Sequence, residues 1–139
     1  MRRPAILVLS RTKNVAGQME RGTASIQLVI LMPALFTLLF VGMQAAMIYH
    51  GRTVAIAAAQ EGARATAAQN GTTTAGRDAA TAFITSAGGD DVLQSVHVTA
   101  RRTATSATVT ITATTLSVVP GWTPRVMQSA SAPSERLTR

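Results

Sequence analysis

The hydrophobic pattern of the chain is dominated by one stretch, 23–50, that contains no Lys, Arg, Asp or Glu. Its apolar core, 26–49, is long enough as a helix to cross the roughly 30 Å of a bilayer's hydrocarbon. Lipid offers no water to an unpaired amide, so an isolated span has to be helical. Gln27, Thr37 and Gln44 are too few to form the polar face of a soluble helix. The sequence therefore predicts one transmembrane helix over 23–50.

The pattern after the span predicts that the same helix continues over 51–69. This segment is rich in alanine, which has the highest helix propensity, and the first clear stop signal is Asn70-Gly71. Small side chains recur every fourth position and form two ridges: Ala55, Ala59, Ala63 and Ala67 on one, and Val54, Ala58 and Gly62 on the next. Such ridges let another helix approach closely. A soluble alanine-rich helix shows the same spacing by chance, so the spacing leaves the packing partner open.

Residues 70–132 predict a small α+β domain. Strict alternation of apolar and polar residues marks half-buried strands, and apolar residues at helical spacing mark a short amphipathic helix. The predicted order is a linker at 71–76, a helix at 77–87, strands at 95–100 and 107–113, a turn at Pro120-Gly121, a third strand at 125–130, and a frayed end at 133–139. A sheet of two or three antiparallel strands is marginally stable alone, so it should pack on the long helix or on a partner.

Charge gives the expected orientation of the span. Residues 1–22 carry five basic side chains against Glu20, and basic segments tend to stay in the cytoplasm; the five are Arg2, Arg3, Arg11, Lys13 and Arg21. We therefore expect a single-pass protein of the inner or plasma membrane, with a basic cytoplasmic leader or tail at 1–22 and an extracytoplasmic outer domain. The net charge of +7 is scattered and the chain has only five aromatic residues, so the sequence does not predict nucleic-acid binding.

Candidate chemistry is sparse along the chain. His50 and His97 have no acid or hydroxyl at a spacing that would form a triad or a metal site. Asp90-Asp91 is typical of a helix boundary or a solvated loop, and no phosphate-binding glycine loop occurs. The absence of cysteine removes disulfides, thiolate metal sites and cysteine nucleophiles together. The sequence therefore predicts neither an enzyme nor a bound metal or cofactor.

Two motifs at a fixed spacing resemble those of a known family. The first is Arg21-Gly22-Thr23-Ala24-Ser25-Ile26-Gln27, followed by Pro33 within the span. The second is Ala58-Ala59-Gln60-Glu61-Gly62-Ala63-Arg64, in which Gln60 replaces an arginine. Together they resemble TadE-like pilus-assembly proteins, pseudopilin-like minor components of tight-adherence (Flp-type) pilus machinery.

The resemblance implies a candidate prepilin-peptidase cleavage site between Gly22 and Thr23. Many pilin-like proteins carry a glutamate five residues beyond such a cut, where this chain has Gln27. An amide can only hydrogen-bond, so either cleavage does not occur or the assembly contacts are neutral. Gln27 is equally well explained as an amide near the lipid headgroups. Pro33 removes a backbone donor, which predicts a kink near Val29.

The function that the resemblance implies is a non-enzymatic, membrane-anchored minor pseudopilin or pilus-assembly protein. Its partners would be membrane lipid, other pilin-like subunits and the pilus or secretion machinery, in a homo- or hetero-oligomer formed through the N-terminal helix. The candidate packing residues are Gln27, Pro33, Ala55, Ala59, Glu61, Gly62, Ala63 and Arg64. Glu61 and Arg64 also fit a plain surface pair on one helix. The alternative is a generic bitopic envelope protein whose small outer domain binds a partner or ligand.

Overall fold

A computed structural model of the protein describes residues 14–134, with side chains described from residue 26 onward. The elements are α1 (Asn14–Ala67), α2 (Thr73–Ser86), a 3₁₀ turn (Gly89–Asp91), β1 (Leu93–Arg102), β2 (Ser106–Thr115) and β3 (Arg125–Pro133). The expected basic tail up to Lys13, and residues 135–139 of the expected frayed end, lie outside these described residues. The α+β class, with a long N-terminal helix, a short helix and a small antiparallel sheet, is confirmed.

The chain divides into two compact units, Met1–Leu39 and Phe40–Arg139. In the first unit, the large apolar side chains of α1 from Ile26 onward are exposed. In this part of α1 every side of the helix is exposed; for example, Val29 is 72% exposed and Leu38 is 71% exposed. Within the described residues, α1 is the one helix long and apolar enough to span a membrane, and none of its most apolar window is buried.

The second unit contains a three-stranded antiparallel sheet in the order β1-β2-β3. Alternation along β2 turns Val109 and Ile111 into the core and the intervening threonines outward, as expected. Strand β1 contains a bulge between Gln94 and His97, with Ser95 at a φ of 52°. Because a bulge adds one residue to its strand, Leu93 and Val96 both face the core although they are three positions apart.

The core of the second unit is closed by the C-terminal part of α1. The buried apolar residues include side chains from both helices and all three strands: Val54, Ala55, Ala58, Ala59, Ala63, Ala80, Ile84, Leu93, Val109, Ile111, Ala113 and Val126. Alanine dominates the α1 contribution, which lets the helix lie close to its neighbours. The small sheet therefore packs on the long helix, one of the two arrangements expected for it.

The predicted linker at 71–76 is wrong. Thr72 caps α2, because its hydroxyl accepts a hydrogen bond from the Ala75 amide at 3.0 Å, and the helix runs from Thr73 to Ser86. Smaller differences occur at other ends: α1 stops at Ala67, two residues before the predicted position, and β3 extends to Pro133, the first residue of the predicted frayed end.

Candidate assembly region

The apolar surface of α1 is the largest exposed hydrophobic feature of the described residues. Gln27 and Pro33 both lie on it and are exposed. The Pro33 carbonyl accepts a hydrogen bond from the Thr37 hydroxyl at 2.7 Å, so this polar side chain is satisfied within its own helix. The surface offers lipid or a neighbouring helix an almost purely apolar face. The kink expected near Val29 stays a prediction.

The candidate cleavage site lies within α1. The backbone of Gly22 and Thr23 belongs to the helix that begins at Asn14, while their side chains are outside the described set. Processing at this bond therefore stays a prediction.

The small-residue ridges of α1 are covered by the chain's own outer domain. Ala55, Ala58 and Ala59 are fully buried, and Ala63 is 1% exposed. Their neighbours in the core come from α2 and from the sheet. The ridges are therefore occupied by elements of the same chain.

The closest approach on this surface is between Gly62 of α1 and Gly76 of α2. A Cβ built on Gly62 would lie 2.7 Å from the Gly76 carbonyl oxygen and 3.0 Å from the Ala80 Cβ. A Cβ built on Gly76 would lie 2.8 Å from the Gly62 carbonyl oxygen and would overlap the buried Thr66 hydroxyl. Both positions require glycine because the two helix backbones touch there.

The Glu61-Gly62-Ala63-Arg64 motif divides between the two sides of α1. Gly62 and Ala63 point into the core, whereas Glu61 and Arg64 are exposed and form an ion pair at 3.5 Å. Such exposed pairs contribute at most a few tenths of a kcal/mol. The inner half of the motif therefore has a clear packing role, and the outer half presents one acid and one base to solvent or to a partner.

Two polar side chains that sequence reasoning did not single out fix the outer domain to α1. The first, Gln44, is only 2% exposed, and its Oε1 accepts a hydrogen bond from the Val118 amide at 2.9 Å. Its Nε2 donates to the Leu116 carbonyl at 3.3 Å, so both ends of the amide are used. In the sequence Gln44 stands out only as an interruption of the apolar surface, because its partners lie more than 70 residues away.

The second, Arg102 of β1, caps the C-terminal end of α1. Its Nη1 donates to the carbonyls of Ala68 at 2.8 Å and Gly71 at 2.6 Å, and also to that of Thr66. The last carbonyls of a helix lack intrahelical donors and carry partial negative charge. A guanidinium there both donates the missing hydrogen bonds and interacts favourably with the helix dipole. No sequence signal identifies this contact, because it depends on the position of β1 beside the helix end.

Ionisable side chains do not gather at any point of the described chain. His50, His97, Asp90 and Asp91 are all exposed. Within the described residues, no three His, Cys, Asp or Glu side chains are placed to hold a metal ion. The recognisable features of the described residues are therefore the packing surfaces of α1 and the side-chain contacts of Gln44 and Arg102 with the backbone.

Comparison with known proteins supports the resemblance found in the sequence. Residues 22–64 match the family model described as TadE-like protein. No curated protein and no solved structure matched the chain. The matched segment covers the exposed apolar part of α1, Gln44, the buried alanines from Ala55 to Ala63 and the Glu61–Arg64 pair. TadE-like proteins are associated with pilus machinery and are generally non-enzymatic, and the candidate membrane helix agrees with that association. Over residues 22–64, the chain is similar to TadE-like proteins.

Proposed function

We propose that the protein is a non-enzymatic, membrane-anchored subunit of tight-adherence pilus machinery, of the minor pseudopilin type. The observation that supports this best is the division of α1 into two surfaces. From Ile26 to Met43 the helix exposes large apolar side chains, whereas from Gln44 to Ala67 one of its sides is covered by the outer domain. The first surface suits lipid and neighbouring helices, and the second serves to hold the domain.

This division changes where subunit packing is expected. The small-residue ridges that suggested helix–helix packing are filled by α2 and the sheet. Packing with other subunits therefore falls to the apolar part of α1, where Leu31 is 61% exposed and Leu35 is 58% exposed. In this arrangement Gln27 is the polar residue available to a neighbouring helix at the inner end of the span.

Single-cysteine cross-linking in membranes tests this assignment, because the chain has no cysteine of its own. Leu31→Cys and Leu35→Cys should form cross-linked species with neighbouring subunits. Ala59→Cys is the matched control on the same helix: it is fully buried and should stay monomeric. Monomers at every tested position of the apolar surface would contradict subunit packing and favour a generic bitopic protein. Cross-linking at Ala59 would show that the ridge is open in the membrane.

Two further measurements complete the test. Purification from gently solubilised membranes should recover a pilin and a secretion ATPase with the protein. Mass spectrometry of the membrane form should show whether the bond between Gly22 and Thr23 is cut. If the N-terminus is intact, the protein would have to assemble without cleavage of residues 1–22. If the chain were washed from membranes by carbonate, the anchoring itself would be wrong.

A further inference from the structure

The part of α1 that belongs to the second unit begins with exposed apolar side chains. Phe40, Val41 and Met43 are 48%, 57% and 50% exposed, and they form the helical turn directly before Gln44. Gln44 is then buried, and after it the outer domain covers one side of the helix. At about 1.5 Å per residue, a helix from Ile26 to Met43 is about 27 Å long, close to the roughly 30 Å of a hydrocarbon core. Gln44 therefore lies near the outer end of the predicted span, five residues before its apolar core ends at Tyr49.

The loop between β2 and β3, residues 116–124, lies beside this position. Gln44 binds the Leu116 carbonyl and the Val118 amide, which fixes the start of the loop to α1. The base of the loop is closed by the hydrogen bond from the Thr115 amide to the Pro124 carbonyl at 2.9 Å. The start of the loop is thus held against α1 at Gln44, and its two ends are held together.

The tip of the loop presents a tryptophan. A turn from Val119 to Trp122 is closed by a backbone hydrogen bond at 3.3 Å, and Gly121 takes the positive φ of 80° that this turn requires. The Trp122 side chain is 49% exposed. The whole loop is uncharged, and the exposed Arg125 follows directly after it. Tryptophan concentrates at membrane–water interfaces because its ring is apolar while its N–H needs a polar partner.

We propose that the 116–124 loop is a membrane-interface loop, whose Trp122 lies in the headgroup region of the outer leaflet. The proposal rests on the membrane anchoring proposed above. Through Gln44, the loop would set the depth at which α1 sits and keep the outer domain against the bilayer surface. Arg125 would lie near the lipid phosphates, where a cation is favoured.

A lipid surface fits the patch formed by Trp122 and the helical turn 40–43 better than a protein partner does. Trp122 and the three exposed side chains of this helical turn are few beside the roughly 20–30 residues that each partner contributes to a stable protein interface. The helical turn of the patch also follows directly, along α1, on the exposed apolar residues of the candidate membrane span.

Fluorescence of the full-length protein in phosphatidylcholine–phosphatidylglycerol vesicles tests the proposal directly, because Trp122 is the one tryptophan of the chain. Its emission should be blue-shifted relative to tryptophan in water. Lipids carrying bromine near the headgroup should remove most of the emission, lipids brominated near the chain ends should remove less, and aqueous acrylamide should have little effect. Strong acrylamide quenching without lipid quenching would overturn the proposal. Lipid-independent protection that grows with protein concentration would overturn it in favour of a protein contact.

Flotation of the same vesicles separates the two proposals. If the protein does not float with lipid, the anchoring is wrong and the interface loop with it; if it floats but Trp122 meets water, only the interface loop is wrong. Gln44→Ala releases the start of the loop and should reduce lipid quenching of Trp122 while leaving flotation unchanged. Gln60→Ala, an exposed glutamine of the same helix, is the matched control and should leave both unchanged. Equal quenching in the two variants would contradict the role of Gln44 in placing the loop.

Discussion

Replacing Gly62 by alanine adds a single methyl group at the crossing of α1 and α2. That methyl group would lie 2.7 Å from the Gly76 carbonyl oxygen, 3.0 Å from the Ala80 Cβ and 3.2 Å from a methyl carbon of Val109. The shortest of these contacts involves backbone, which cannot rotate away as a long side chain can. The strain can therefore be relieved only by moving α2 or the sheet away from α1, which loosens the buried core around it.

The size of the effect follows from two opposing contributions. Adding a methyl group to a packed core costs about 1–3 kcal/mol, and three simultaneous close contacts place Gly62→Ala in the upper part of that range. Alanine also gains about 1 kcal/mol over glycine inside a helix. We therefore expect a net destabilisation of about 1–2 kcal/mol. Gly42→Ala isolates the second contribution, because Gly42 lies in the same helix and a Cβ there has no atom within 4 Å.

The assay is thermal unfolding of the full-length variants in the same detergent, followed by Trp122 fluorescence and by far-ultraviolet circular dichroism. The difference between Gly62→Ala and Gly42→Ala removes the shared helix-propensity gain and leaves the packing cost of about 2–3 kcal/mol. For a unit of this size it corresponds to midpoints separated by roughly 10–20 °C. Equal midpoints for the two variants would show that the helices do not touch at Gly62, and the packing role assigned to the inner half of the motif would be wrong.

Three further variants can be measured by the same unfolding assay. Gln44→Leu should cost about 1–3 kcal/mol because two partly buried backbone groups lose their partner, and Gln60→Leu should cost much less; similar losses would contradict the Gln44 contacts. Arg102→Gln should destabilise the protein by about 1–3 kcal/mol because the carbonyls at the end of α1 lose their guanidinium donor. Arg101→Gln, at the exposed neighbouring position, should stay near wild type, and the reverse order would refute the cap. Thr72→Ala should cost about 0.5–2 kcal/mol, and no change would show that α2 does not depend on this hydroxyl.

Features governed by local pattern could be predicted from the sequence. The helix over the uncharged run 23–50, the alternation along β2 and the Pro120-Gly121 turn each depend on neighbouring residues, and each is found at or near the predicted place. Thr72 carries a local signal as well, since threonine favours helix N-caps. That signal is ambiguous because the surrounding Thr and Gly residues also fit a linker.

Features that depend on distant residues could not be predicted in the same way. The ridge from Ala55 to Ala67 indicates that something packs closely, but spacing does not say whether that neighbour is another subunit or the chain's own α2. Gln44 and Arg102 likewise carry no sign of their partners, because the Val118 amide and the carbonyls after Thr66 reach them only through the folding of the sheet. A glutamine that interrupts the apolar run was the one available hint.

Val126 of β3 belongs to the same buried core as Ala55 and Ala59, which has a consequence for biosynthesis. Because β3 follows the other described elements in chain order, the core around the helix alanines is complete only after β3 has been synthesised. During that interval the nascent protein presents a partly uncovered alanine surface, at the stage when incomplete chains are most prone to wrong associations. A chaperone or an early partner that shields this surface would lower that risk until the β2–β3 hairpin is complete.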